Sequence, residues 1–240
     1  MNAAIAAQLA PTGTLRAAIN LSNFLLVSSR GPSGEPQGVA PDMARAVADA
    51  IGVPIRYITF PTPGELADAV AQWDIGLIGA EPQRAEKIAF SAAYAEIEAT
   101  YLVPAGSPIG ALAEVDRPGV RIAVSARSAY GLWLDRNIRH ATLHHAEGLA
   151  GAVDLFADQR LDVLAGLLPA LLSDTKRFPG SRILAGHFST VQQAIGTPRD
   201  RAEAAAFLAD FVESAKASGL VARLIERHGV QGLSVAASAG

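Results

Sequence analysis

Between residues 15 and 228, short runs of β-type apolar residues alternate with amphipathic stretches of helical period, and few folds accept such an alternation. The first series has strand-like runs at 15–19, 55–60 and 75–78 separated by helical runs at 41–50 and 63–72. This is the pattern of βαβ units around a parallel sheet. Met43, Val47 and Ile51 share one face of the first helix, as expected where a helix packs on a sheet. Thr62-Pro63-Gly64-Glu65 opens the second as a capping box with proline at the first helical position. After the breaker run Pro104-Ala105-Gly106-Ser107-Pro108, a second series follows: strands at 121–124, 142–144 and 162–164, helices at 128–137, 147–156 and 169–178. One more strand at 191–196 and two helices, 199–218 and 220–228, end the chain, with Ser218-Gly219 between the helices. The chain has 240 residues, half of them hydrophobic, enough for one large domain or two modest ones. The pattern permits two domains in series or a chain that returns to the first.

Composition removes several classes of function. The formal net charge is −3 and the charged residues are scattered, so the basic stripe required for nucleic-acid binding is missing. No apolar run approaches the length that spans a bilayer, and membrane insertion is not expected. The chain has no cysteine, which excludes disulfides and thiolate metal sites. The five histidines lack metal-ligand spacing, and the adjacent His144 and His145 would face opposite sides of a strand. P-loop, G-x-G-x-x-G, H-E-x-x-H and G-x-S-x-G motifs are absent, so no metal or cofactor is expected.

The segment Arg84-Ala85-Glu86-Lys87-Ile88-Ala89-Phe90-Ser91-Ala92-Ala93-Tyr94 has the pattern R-x-x-x-I-x-F-S-x-x-Y. Taken in order with Gly13-Thr14-Leu15-Arg16, Gly38-Val39-Ala40-Pro41-Asp42-Met43-Ala44, Gly52-Val53 and Ala217-Ser218-Gly219-Leu220, it resembles the type 2 periplasmic solute-binding proteins. The likeness is to their amino-acid-binding branch, which serves ABC uptake systems. The resemblance implies an α/β, two-lobed, periplasmic-binding-protein-like type II fold, each lobe a mostly parallel sheet flanked by helices and joined by two crossover hinges. Lobe 1 is expected at 1–103 and 196–240 and lobe 2 at 104–195, with crossings near 101–105 and 192–196. A small carboxylate or amino-acid-like ligand would sit in the cleft, and an ABC permease would recognise the closed form. The same scaffold also hosts enzymes such as cyclohexadienyl dehydratases, and a cytoplasmic ligand sensor or buffer is a further alternative.

By the same resemblance Arg84 matches the carboxylate-binding arginine, whose planar fork can hold a carboxylate by two parallel hydrogen bonds. The chain ahead of it, Gly79-Ala80-Glu81-Pro82-Gln83, is expected to open a helix at Pro82 whose N–H groups add to the attraction. That connection is shorter than the family's and lacks its hydroxyls; Glu81 stands in their place, either as a site residue or as a helix cap. In lobe 2, Ser125-Ala126-Arg127-Ser128-Ala129-Tyr130 aligns with a ligand-binding turn in which Ser128 offers a hydroxyl and Ala129 an N–H. Arg127 replaces the family's glycine and either adds a second cation or turns to solvent. Leu167, after Gly166, occupies the place of the aspartate that meets an α-ammonium. Leucine cannot pair with an amine, so the ligand is a carboxylate without an α-amino group, or another acid such as Glu98 supplies the counter-charge. Asn20 and Asn23 fall where the family has an acid and an aromatic wall, and are equally ordinary turn residues. Of Gln192 and Gln193, strand alternation lets only one face the cleft.

The first ten residues lack the charged start and apolar core of a secretory signal, which gives a cytoplasmic location as the expectation. Prior removal of a leader would instead make the protein periplasmic.

Overall fold

The computed structural model describes residues 3–239. Met1, which entered the expectation about the N-terminus, lies outside them. The chain divides into two compact units, unit 1 from Met1–Glu96 with Gln192–Gly240 and unit 2 from Ile97–Val191. The divisions thus fall at 96/97 and 191/192, a few residues ahead of the expected 103/104 and 195/196.

The first part of unit 1 holds α1 (Ala3–Leu9), β1 (Leu15–Asn20), a short hairpin of β2 (Ser29–Arg30) and β3 (Pro36–Gln37), α2 (Val39–Ile51), β4 (Ile55–Phe60), α3 (Pro63–Asp68), β5 (Ile75–Gly79), the single turn α4 (Pro82–Ala85) and β6 (Ile88–Val103). β1 pairs in parallel with both β4 and β5. The apolar stripe of α2, including Met43, Val47 and Ile51, is buried. Thr62 caps α3 through the Glu65 N–H at 3.2 Å, as the capping box requires. That helix ends at Asp68 and is followed by a 3-10 turn at Val70–Gln72, where the sequence pattern suggested one helix over 63–72. The cause is Trp73, which folds back fully buried into the core beside Ile78 and Ile88 and donates its indole N–H to the Leu66 carbonyl at 3.0 Å.

β6 runs on into unit 2, where its residues 99–102 pair antiparallel with β9. Unit 2 continues with β7 (Arg121–Ser125), α5 (Ala129–Asn137), β8 (Thr142–Ala146), α6 (Gly148–Asp158), β9 (Val163–Leu167), α7 (Leu168–Asp174) and β10 (Arg182–Ile183). Its sheet has the order β6-β9-β7-β8, with β7 parallel to both β8 and β9, and β10 pairs with β6. α7 stops at Asp174, four residues short of the expected end. Phe178 leaves the helix to pack edge-on against Phe156, with centroids 5.1 Å apart.

The chain returns to unit 1 through β11 (Ser189–Pro198), then α8 (Ala202–Ala217), α9 (Leu220–Arg227) and β12 (Ser234–Val235). β11 pairs antiparallel with β5, giving unit 1 the order β4-β1-β5-β11-β6. β12 pairs with β6 at Ala95 and Glu96. Lys216, nearly buried, donates to the Ala237 carbonyl at 2.7 Å and so straps the C-terminal tail to α8.

One device occurs in both units. In unit 1 the Asp74 carboxylate, ahead of β5, accepts from the backbone N–H and Nε of Arg16 on β1, at 2.9 and 3.0 Å. In unit 2 Asp162, ahead of β9, accepts the same two groups of Arg121 on β7 at the same distances. Asp74 is fully buried and also holds Arg201 at 2.8 Å, whereas the Asp162 side chain is 38% exposed.

Candidate functional site

The sequence motif around Arg84 resolves into separate physical tasks. β5 ends at Gly79, and the chain then makes the one turn of α4 before entering β6. Arg84 is 5% exposed and its Nη1 donates to the Gly79 carbonyl at 2.6 Å, which fixes the guanidinium at the carboxyl end of β5. Arginine keeps its charge under burial, so a permanent cation is held at this place. Ile88 lies in the core of unit 1 with Phe90 packed on it. Ser91 accepts the Ile195 N–H at 3.1 Å, joining β6 to β11. Tyr94 is fully buried, and burial raises its hydroxyl pKa well above the usual range.

The helix expected to open at Pro82 does so, with proline in its first positions, but it is short. α4 has only four residues, too few to build a useful dipole, because the apolar alternation beginning at Ile88 commits the chain to a long strand. Glu81 is the residue before that turn, but its side chain makes no capping hydrogen bond. The permanent charge at this place is the guanidinium itself.

Asn20 and Asn23 shape the loop after β1. The Asn20 Oδ1 accepts from the Ser22 N–H at 3.1 Å and hydroxyl at 2.8 Å, and the Asn23 Oδ1 accepts from the Leu25 N–H at 3.1 Å. Both are therefore Asx turns, the ordinary use of asparagine. Gly38 was not foreseen as a partner of this loop. Its φ is 147°, and a Cβ there would lie 2.2 Å from the Leu26 carbonyl oxygen, so only glycine lets the loop pass over the start of α2. At the return crossing, Gln193 is 3% exposed and pairs with Gly79, while Gln192 is half-buried.

In unit 2 the turn at 125–130 joins β7 to α5. Arg127 has φ 57°, the left-handed conformation that glycine normally supplies, so the glycine-like backbone persists although the side chain differs. Ser128 caps α5: its hydroxyl accepts the Gly131 N–H at 3.0 Å and donates to the Ser125 carbonyl at 2.8 Å. A Cβ on Gly131 would meet that carbonyl at 2.6 Å, which explains glycine one turn into the helix. Ala129 is buried beside the cap. Tyr130 is buried, and its hydroxyl pKa is pushed up to about 12 by burial, against hydrogen bonds from Ser128 and Ser125, so it remains a proton donor and is not a base. Gly166 has a packing reason, since a Cβ there would lie 2.9 Å from Leu171. Leu167 is buried at the end of β9. Glu98 is half exposed and stands 3.6 Å from His187, next to a group the sequence did not reveal, in which Phe188 stacks on Tyr101 and packs against Trp133. His145 pairs with Asp135 at 2.8 Å. Among the described residues no three acidic or imidazole groups gather as a metal site.

Residues 19–231 match the model of the bacterial extracellular solute-binding proteins, family 3. The chain belongs to that family. No curated protein sequence matches it significantly. Among solved structures, it is similar to a binding component of an ABC transporter from Wolinella succinogenes complexed with lysine, at 18% identity and TM-score 0.74, over 90% of this chain and 95% of that one. It is also similar to an amino acid ABC transporter substrate-binding protein from Streptococcus pneumoniae bound to L-arginine, at 18% identity and TM-score 0.73, over 97% and 99%. A histidine kinase sensor domain with similarity to periplasmic binding proteins matches at 17% identity and TM-score 0.76, over 93% and 98%. At these identities the solved structures establish the fold, the periplasmic-binding-protein-like type II architecture, while the family match makes this a solute-binding protein. Its partner is accordingly a small molecule.

Proposed function

We propose that this solute-binding protein captures a small carboxylate or amino-acid-like solute for an ABC transporter, with Arg84 receiving the carboxylate. The observation that carries the reading is the buried guanidinium of Arg84, tied to the Gly79 carbonyl at the carboxyl end of β5. Its fork fits a carboxylate by two parallel bonds. Similar proteins bind lysine and L-arginine. In unit 2 the turn around Arg127, Ser128 and Ala129 is the second candidate for contact with an anion. An ABC permease is the macromolecular partner that this reading implies.

Isothermal titration with amino acids and their 2-oxo counterparts tests it. Arg84→Ala is expected to weaken the bound compound about a hundredfold, the scale of losing a charge-assisted pair of hydrogen bonds. Arg84→Lys keeps the charge without the fork and should fall between. Unchanged affinity in both variants would remove Arg84 from the site.

A further inference from the structure

We propose that Gln193 is a ligand-reading residue that selects solutes whose carbon next to the Arg84-bound carboxylate bears an oxo or hydroxyl group, over those that bear an ammonium. The inference rests on the carboxylate reading above and names the class of solute.

Position comes first. Gln193 on β11 is the register partner of Gly79 on β5, and paired residues of an antiparallel ladder project on the same face. The carbonyl of that same Gly79 holds the Arg84 guanidinium at 2.6 Å. Amide and guanidinium are thus both anchored at Gly79 of the unit 1 sheet, and in the proposed site the carbon next to an Arg84-bound carboxylate lies against Gln193.

The state of the side chain comes second. Along the same face of β11, Val191 and Ile195 are buried apolar residues, and Thr197 is buried with its hydroxyl donating to the Asp74 carbonyl at 2.9 Å. Gln193 alone departs from this rule: it is 3% exposed, yet among the described residues its amide has no hydrogen-bond partner. Its polar atoms are not sealed either, since the only fully enclosed unpaired side-chain atoms among the described residues are the Tyr94 hydroxyl and the Ser181 hydroxyl. The amide therefore opens onto the little surface left to it. Burying an amide without a partner is unfavourable, and folding gains nothing from it. A solute that supplies the missing partner turns that deficit into selectivity.

The chemistry names the class. An amide offers two N–H donors and a carbonyl acceptor without charge. It can donate to an oxo oxygen and exchange a bond with a hydroxyl, but it gives an ammonium no counter-charge. Asn20 and Asn23, in the loop after β1, have committed their carbonyl oxygens to turns and so have only N–H groups left to present, which also favours oxygen.

The test uses intact protein and matched pairs differing only at that carbon: pyruvate and L-alanine, 2-oxoglutarate and L-glutamate, 4-methyl-2-oxopentanoate and L-leucine. Wild type, Gln193→Leu, Gln193→Glu and Arg84→Ala are titrated calorimetrically and their melting temperatures recorded. Wild type is expected to favour the oxo member of the pair it binds. Gln193→Leu should weaken that member about tenfold, with the melting temperature equal or higher, and Gln193→Glu should shift preference to the amino member. A wild-type preference for amino acids, or oxo-acid affinity untouched by Gln193→Leu, overturns the proposal; loss of binding in Arg84→Ala would then leave the carboxylate reading standing. A melting temperature lowered by several degrees in Gln193→Leu without a change in preference makes the residue structural and also overturns it. If wild type binds none of the six compounds, this proposal falls together with the carboxylate reading.

Discussion

Tyr94 is sealed from solvent, and its hydroxyl finds no acceptor among the described residues. A buried hydroxyl left in this state costs about 1–3 kcal/mol, and phenylalanine has the same shape without the hydroxyl. Tyr94→Phe is therefore expected to leave stability unchanged or raise it by about 1 kcal/mol in urea denaturation; a loss of that size would mean that the hydroxyl has a bond not seen here. The contrast with Arg84, ten residues earlier in the same motif, shows what sequence can and cannot give at this scale. The motif marked Arg84 as a residue to examine, and the structure ties its guanidinium to the Gly79 carbonyl. Asn20, Asn23 and Ser128 use the same atoms to shape turns and caps as they would to hold ligand, and only coordinates show those atoms occupied. For Gln192 and Gln193 the period of two was legible but not its phase, and Gln193 is the one that is buried.

The two Arg–Asp clamps form a matched experiment in burial. Their bonds to the arginine backbone and Nε are of equal length, but one carboxylate is fully enclosed and the other partly wet. Asp74→Ala leaves Arg16 and Arg201 without their shared anion, and should cost roughly 2–4 kcal/mol, since both arginines retain some exposure. Asp162→Ala should cost under about 1 kcal/mol. Equal losses in urea denaturation would contradict burial as the deciding variable. The pH dependence follows with its sign. Burial pushes the Asp162 carboxyl up, but the hydrogen bonds and charge of Arg121 outweigh it and the net shift is downward. Its contribution is therefore present above the unfolded carboxylate pKa and is lost as pH falls through the lower folded value. Asp116, which accepts the backbone N–H groups of Arg139, His140 and Ala141, is lowered too, so stability should decline below about pH 4. The βαβ alternation itself was legible because period and turn chemistry agree. Where helices ended early, at Asp68 and Asp174, the deciding contacts were made by Trp73 and Phe178, which local pattern cannot see.

At the scale of the molecule, unit 2 is one uninterrupted stretch of chain and unit 1 is two. Unit 2 has its own strands β7, β8 and β9 around the end of β6, its own clamp and a core built around Leu102, Phe156, Leu164 and Leu171. A fragment of residues 97–191 should therefore unfold cooperatively by itself, with β7 and β9 the most protected from hydrogen exchange; a gradual transition would show that it depends on unit 1. Residues 1–96 alone should not fold, because β5 would lack β11 and Asp74 would lack Arg201. The discontinuity has a further consequence during synthesis. Residues 80–188, which include nearly all of unit 2, are made after β5 and before β11. At ribosomal speed the open edge of β5 waits on the order of 5–20 s for its partner. An unpaired strand edge is a template for other chains, so the nascent protein is most prone to aggregate in the interval when its second unit is all but complete.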